Sequence, residues 1–247
     1  MTVRSMTIED LPKVMDYMVE QTWHDNFHKW FFPGKYEYPF HYRRWWTAYV
    51  RDLILKPNVY CYAIEEETTG RLLGWVEMHP AKKNDAPVDL DLSKNSRRES
   101  TYFDCSNSGQ TFLTRLEKGW LRRYWSHHNA LLERVRPNRA ASQARFEYFF
   151  KVVSPWMKKT LYTGEDIRNW TISELVLDPA LQPQESKDVC IQLLDHAREQ
   201  CRKDDVAFWA FVEPQFVKGL EEYGFIMREP IIIGNVTAYA MRFEEAE

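Results

Sequence analysis

A chain of 247 residues, 44% hydrophobic and 28% charged, is long enough to bury a full-sized core and has the ordinary balance of a globular protein. Its net charge of -3 gives no general attraction to nucleic acid, and no stretch approaches the roughly 18 continuous apolar residues of a membrane span. The start, MTVRSMTIEDL, has no apolar segment of the kind that directs secretion, so a cytoplasmic protein with neither nucleic acid nor membrane as partner is expected.

In chain order, residues 2–6 predict a short strand, and Thr7 opens a helix as its N-cap, with Asp10 in an acidic first turn. Leu11, Val14, Met15, Met18, Val19 and Thr22 then recur at helical spacing. From Trp23 to Trp46 the chain crowds Trp, His, Phe, Tyr and Pro together, as in HDNFHKWFFPG and FHYRRWW. Pro33-Gly34 marks a turn there, and residues 42–55 predict an amphipathic helix before Pro57. Residues 59–65 and 71–79 predict two strands joined at Thr68-Thr69-Gly70, an antiparallel hairpin.

Residues 81–108 are polar and predict an exposed loop. Two helical patterns follow, at about 110–134 and 139–162, parted by Arg136-Pro137-Asn138. Phe112, Leu113, Leu116, Trp120, Tyr124 and Leu131 form the apolar stripe of the first; Phe146, Phe149, Phe150 and Val153 form that of the second, which Pro155 must kink or end. Arg115, Lys118, Arg122, Arg123, Arg134, Arg136 and Arg139 lie close together, either as an attraction for phosphates or an acidic substrate, or as a solvated helix face. Cys61, Cys105, Cys190 and Cys201 show neither a CxxC pair nor metal-ligand spacing and read as reduced structural thiols, with no metal.

From residue 171 the order is strand, turn, helix, strand, short helix, in TISELVLDP, ALQPQE, SKDVCIQLLDHAREQCRK, DDVAFWAFVEP and QFVKGLEEYGF. Residues 226–234 and 236–244 add two strands around Gly234-Asn235. This order resembles the GNAT superfamily of CoA-dependent N-acyltransferases over most of the chain. Leu73-Gly74-Trp75, the strand end Leu177-Asp178-Pro179, Gln182 and Gly224-Phe225 stand where that family has its apolar-Gly-apolar step, its strand end, the opening of its phosphate-binding turn and its Gly-Phe pair. The resemblance implies an α+β (α/β) fold, a mixed and mostly antiparallel central sheet flanked by helices. It implies one domain over residues 1–247, with a loop and helical hairpin at 81–170 inserted between the third and fourth strands. It also implies a monomer or homodimer that moves an acetyl or other acyl group from acyl-CoA to an amine, or a hydroxyl, of a small molecule. Acetyl-CoA or another acyl-CoA would then lie against Val176, Leu177, Gln182, Ser186 and Lys187, and Trp23, Trp30, Phe31 and Trp75 would line the substrate pocket.

Three features carry the chemistry of that family. The first is a cradle in which small residues let backbone N–H groups approach a pyrophosphate at a helix N-terminus. Its two small positions fall here on Glu185 and Lys187, in a chain whose nine glycines are about half of average usage. Glu185 repels a pyrophosphate, whereas Ser186 and Lys187 offer it a hydroxyl and a cation; the plain alternative is a capped helix start with Ser186 as N-cap. The second is a general base, and Glu174 stands on the strand where the family frequently has an acid. Alternation puts Glu174 and Val176 on one face and Leu175 and Leu177 on the other, with Glu77 and His79 as further candidates for catalysis. The third is a Tyr that protonates the leaving thiolate; its position falls on Leu220, with Tyr223 about 60° further round the helix. The family's frequent Asn at the preceding strand end becomes Glu213. Two other readings therefore stand beside the acyltransferase: a CoA-independent lyase, isomerase or cyclase acting on a small, aromatic metabolite, and a non-catalytic small-molecule-binding protein.

Overall fold

The computed structural model describes residues 1–56, 59–80, 112–161 and 168–245; the expected 81–108 loop lies outside them. β1 (Thr2–Ser5) leads into a short 3-10 turn, Ile8–Asp10, where the Asp10 carboxylate accepts from the Thr7 N–H at 2.8 Å. α1 (Leu11–Thr22) follows, with Pro12 in the first turn, where a missing N–H is tolerated. α2 (Asn26–Phe31) is a short helix with Asp25 at its N-cap, and α3 (Pro39–Leu55) begins three residues ahead of the expected start because Pro39 is preset for a first turn. β2 (Tyr60–Glu65) and β3 (Leu72–Pro80) form the expected hairpin.

α4 (Phe112–Val135) is followed by α5 (Gln143–Tyr148), a π-helical stretch (Phe149–Val153) and α6 (Ser154–Leu161). These last three run on without a break, so Pro155 does not end the helix. The widened turn just upstream takes up the carbonyl its ring would otherwise strike. Of the basic residues of this region, Arg122 is neutralised by Asp52 of α3 at 3.0 Å; α4 also meets α3 through an Arg44–Glu133 ion pair at 3.0 Å and through Arg51 stacked 3.8 Å over the Trp125 ring.

β4 (Asn169–Leu177), α7 (Pro183–Asp204), β5 (Ala207–Val212), α8 (Pro214–Tyr223), β6 (Phe225–Ile233) and β7 (Val236–Phe243) complete the order. The seven strands make one sheet in the order β1-β2-β3-β4-β5-β7-β6, antiparallel throughout except for β4 and β5. The parallel pairing joins Asn169–Ile172 to Ala207–Ala210; beyond it β4 leaves β5, and the far end of β4 has a free edge. On its other side β4 stays paired with β3, with an irregularity at Glu77/Met78 that leaves Ser173 unmatched.

Helices cover both faces. α1 and α3 lay Val14, Met18, Val50 and Leu53 against Ala63, Trp75 and Val176, while α7 lays Val189, Leu193, Leu194 and Ala197 against Ile64, Val76, Met78 and Ile172. Burying a side chain of this size stabilises the fold by roughly 1.5–3 kcal/mol. Gly74 has a packing reason, since a Cβ there would stand 2.8 Å from the Val176 carbonyl oxygen across the β3–β4 pair. Among the described residues Cys61, Cys190 and Cys201 are free thiols, and no helix is long and apolar enough to cross a membrane.

Candidate active site

The centre of the sheet, where β4 parts from β5, meets the loop between α1 and α2. Asp25 is extended, with φ -67° and ψ 133°, and its side chain accepts from the His28 N–H at 3.0 Å. That cap orients the first turn of α2 so that the His28 ring swings back onto its own capping residue, with Nδ1 2.7 Å from Asp25 Oδ2. The opposite ring nitrogen, Nε2, stands 3.6 Å from Glu174 Oε1 on β4. His28 packs against the Trp46 ring at 5.2 Å and is only 7% exposed, whereas Glu174 is 17% exposed. Glu174 is thus the more solvent-accessible of the two.

Two further groups hold the loop. Lys35 is fully buried, and its Nζ donates to the carbonyls of Thr22 at 2.7 Å and Asp25 at 3.3 Å, tying the end of α1 to the start of α2. Glu213, at the end of β5, accepts from the Phe27 N–H at 3.1 Å and from Gln215 at 3.1 Å. On β3, Glu77 is register partner to Glu174 and fully buried. Its Oε1 accepts from the Tyr49 hydroxyl at 3.1 Å and contacts His79 Nε2, and its Oε2 has no partner among the described residues.

Charge in this cluster follows from burial and pairing. Burial alone disfavours an imidazolium, but the hydrogen bond to Asp25 and the Glu174 carboxyl 3.6 Å away outweigh it and raise His28 to about 9. Burial pushes the Glu174 carboxyl up, with His28 pulling it back and Glu77 adding to the rise. Asp25 is held well below the usual carboxylate range despite its burial, because His28 bonds to it. Glu213 is raised by burial and by the neighbouring Asp25 carboxyl, and burial lowers Lys35 to about 8. At neutral pH His28 is therefore protonated, 3.6 Å from the Glu174 carboxyl, whose basicity burial raises.

Of the residues picked out in the sequence, Glu174, Glu77 and His79 come together here. The four aromatic candidates do not share a pocket. Phe31 and Trp75 are buried in the core, and Trp75 is fully enclosed. Trp23 packs edge-on against Tyr36 and borders a shallow cleft with Asp16, Val19, Glu20, His24 and Arg43. Trp30 sits under the β6–β7 turn, where Gly234 has φ +63° and a Cβ would stand 2.2 Å from the indole nitrogen. Tyr223 donates to Asp195 at 2.7 Å on the α7 side, away from Glu174. Sequence reasoning misses Asp25, His28 and Tyr49, although an Asp at the N-cap position in HDNFHKW is a legible helix-start signal.

The residues expected to hold CoA are satisfied by the protein itself. Val176 is buried in the core. The Leu177 N–H donates to Gln21 Oε1 at 3.1 Å, and Gln21 Nε2 donates to the Leu175 carbonyl at 3.0 Å, so one side-chain amide lies along the free edge of β4. α7 is capped by Gln182, not Ser186: Pro183 presets the first turn, and Glu185 reaches back to accept from the Gln182 N–H at 3.0 Å. Ser186 is already inside the helix, its N–H on the Gln182 carbonyl at 2.8 Å. The N–H groups of Ala180 and Leu181 both go to Asp178, at 2.9 and 3.1 Å, and the exposed Lys187 lies 3.7 Å from Glu222. A pyrophosphate needs free N–H donors and no facing carboxylate; these residues do not fit it.

No family model matches the sequence, and no curated protein matches it. Solved structures do. The C-terminal condensation domain of Ebony in complex with beta-alanyl-dopamine superposes with a TM-score of 0.58 at 9% identity, over 98% of this chain and 97% of that one. The chain has the GNAT fold. An HPA2-related acetyltransferase from Corynebacterium glutamicum gives a TM-score of 0.52 at 14% identity over 100% and 97% of the two chains. A further acetyltransferase gives 0.53 at 12% identity over 99% of each. At these identities the GNAT likeness is one of architecture, and chemistry has to be argued from the residues.

Proposed function

We propose that this protein transfers an acyl group from a thioester to the amine of a small molecule, with Glu174 as general base and His28 as general acid. The observation that carries the reading is the Asp25–His28–Glu174 arrangement: a carboxylate of raised basicity in contact with an imidazolium, at the point where β4 and β5 part. Glu174 takes a proton from the bound ammonium, and the freed nitrogen attacks the thioester carbonyl. As the C–S bond breaks, His28 gives its Nε2 proton to the leaving sulfur. The second proton lost by the nitrogen returns through Glu174 to His28, and the first goes to solvent, so the pair is restored. Asp25 fixes the ring and its charge through Nδ1, which makes it a positioning residue. The neighbour bound to beta-alanyl-dopamine, an amide of an aromatic amine by its name, supports an amine of that kind as acceptor.

The test is mass-spectrometric detection of amide after incubation with acetyl-CoA or S-acetyl-pantetheine and a panel of aromatic monoamines, polyamines and amino acids. Glu174→Gln and His28→Gln should each lower the rate about a hundredfold or more. No amide from either donor with any amine sinks the proposal. A second reading, proton-transfer chemistry without a thioester, is favoured by the self-capped start of α7, and product formed from a single small molecule with no donor present would establish it.

A further inference from the structure

Resting on the transfer reading, we infer that the acyl donor is not gripped by a nucleotide pyrophosphate, and that a thioester whose thiol carries no nucleotide is accepted as well as acyl-CoA. Two separate observations lead there. At the start of α7 four backbone donors are taken within the protein: Ala180 and Leu181 on Asp178, Gln182 on Glu185, and Ser186 within the helix. Exposed Glu185 and Lys187 stand at the two positions where the resemblance expects small residues, and their side chains replace the close approach that glycine permits. Arg71, which lies near this turn, is committed to Asp178 at 2.6 Å.

The second observation is the edge of β4. There the Leu175 carbonyl and Leu177 N–H are spanned by the exposed side chain of Gln21, which can rotate into solvent. An amide in a donor's arm makes the same two hydrogen bonds in its place. The acyl arm thus retains a berth beside Glu174 while the nucleotide end has none, and recognition belongs to the part of the donor near the thioester.

The experiment uses the whole chain. CoA, pantetheine and adenosine bisphosphate are titrated by calorimetry, and acetyl-CoA is compared with S-acetyl-pantetheine as donor. The expected result is binding of CoA and pantetheine within about threefold of each other, no heat from adenosine bisphosphate at about millimolar concentration, and kcat/KM values for the two donors within about threefold. CoA bound more than about tenfold tighter than pantetheine, heat from adenosine bisphosphate, or silence from both thiols overturns the inference. Replacing the cap, Glu185→Gly with Lys187→Ala, should shift the preference toward CoA by about tenfold; an unchanged ratio also overturns it. Equal binding with no amide product removes the transfer reading and the donor claim with it, leaving only the absence of a nucleotide grip, whereas amide from acetyl-CoA alone keeps the transfer reading and overturns this inference.

Discussion

His28 spans two carboxylates, Nδ1 2.7 Å from Asp25 and Nε2 3.6 Å from Glu174, and so joins the loop after α1 to the centre of β4. A ring held this way is both a proton carrier and a structural clasp. The two roles separate by measurement, because a clasp acts on stability and a carrier on rate.

Stability should depend on pH through His28. Its value rises from 6.5 to about 9 on folding, so the stabilisation is complete below about pH 6.5 and is lost as pH climbs through about 9. For a side chain only 7% exposed, this is worth about 3 kcal/mol. Lys35, lowered to about 8 by burial, works the other way above that pH, since the folded protein tolerates its neutral form better. Comparing wild type with His28→Gln cancels the Lys35 contribution. The wild-type advantage in thermal denaturation should shrink by about 3 kcal/mol between about pH 6 and pH 9.5; an advantage that stays constant would show that the ring is not charged in the folded protein.

Glu174→Gln should separate chemistry from folding. The amide keeps the shape and leaves a carbonyl to face His28, but it accepts no proton, so turnover should fall about a hundredfold or more. Because the carboxyl is raised by burial, removing its charge should leave the melting temperature unchanged or slightly higher. A large loss of stability with turnover intact would assign Glu174 to structure instead.

Much of the architecture is legible in the sequence. The β-branched run around Glu174 and the 3.6-residue spacing of Val189, Leu193 and Ala197 are local patterns, and alternation places Glu174 on the face that later proves to carry His28 and Glu77. The helper residues are less legible for physical reasons. α2 spans only Asn26–Phe31, too few turns for a periodicity, and His28 has no chemical meaning until folding brings distant β4 against it. Ser186 looks like an N-cap by residue type, but the Pro183 and Glu185 pair starts the helix earlier and decides the cap. Aromatic residues mislead most: composition says that they are many, while only packing separates the enclosed Trp75 from the half-exposed Trp23.

Lys35 offers a test of the loop that carries His28. Lys35→Met keeps the length and apolar stem but leaves the carbonyls of Thr22 and Asp25 without their donor. Unsatisfied buried carbonyls cost about 1–3 kcal/mol, partly offset because an ammonium no longer has to be buried. The net expectation is a small stability change together with a turnover lower by about tenfold, as the Asp25 cap loosens and the His28 ring loses its fixed direction. Unchanged turnover would mean that Asp25 alone holds the ring.

Trp30 distinguishes packing from substrate contact. Gly234 has φ +63°, a backbone shape that side chains adopt only under strain, and a Cβ there would press on the indole nitrogen at 2.2 Å. Gly234→Ala should therefore destabilise the protein by about 1–3 kcal/mol, displacing Trp30 or opening the β6–β7 turn. If Trp30 serves the packing of β5, β6 and β7 on the 149–161 helix, as its place in that cluster indicates, the variant should show a lower melting temperature with KM for the amine unchanged. Were Trp30 a wall of the acceptor pocket, KM would rise severalfold at temperatures where the variant is fully folded. Measuring KM well below the melting transition keeps the two effects apart, because unfolding then removes active molecules without altering the affinity of those that remain.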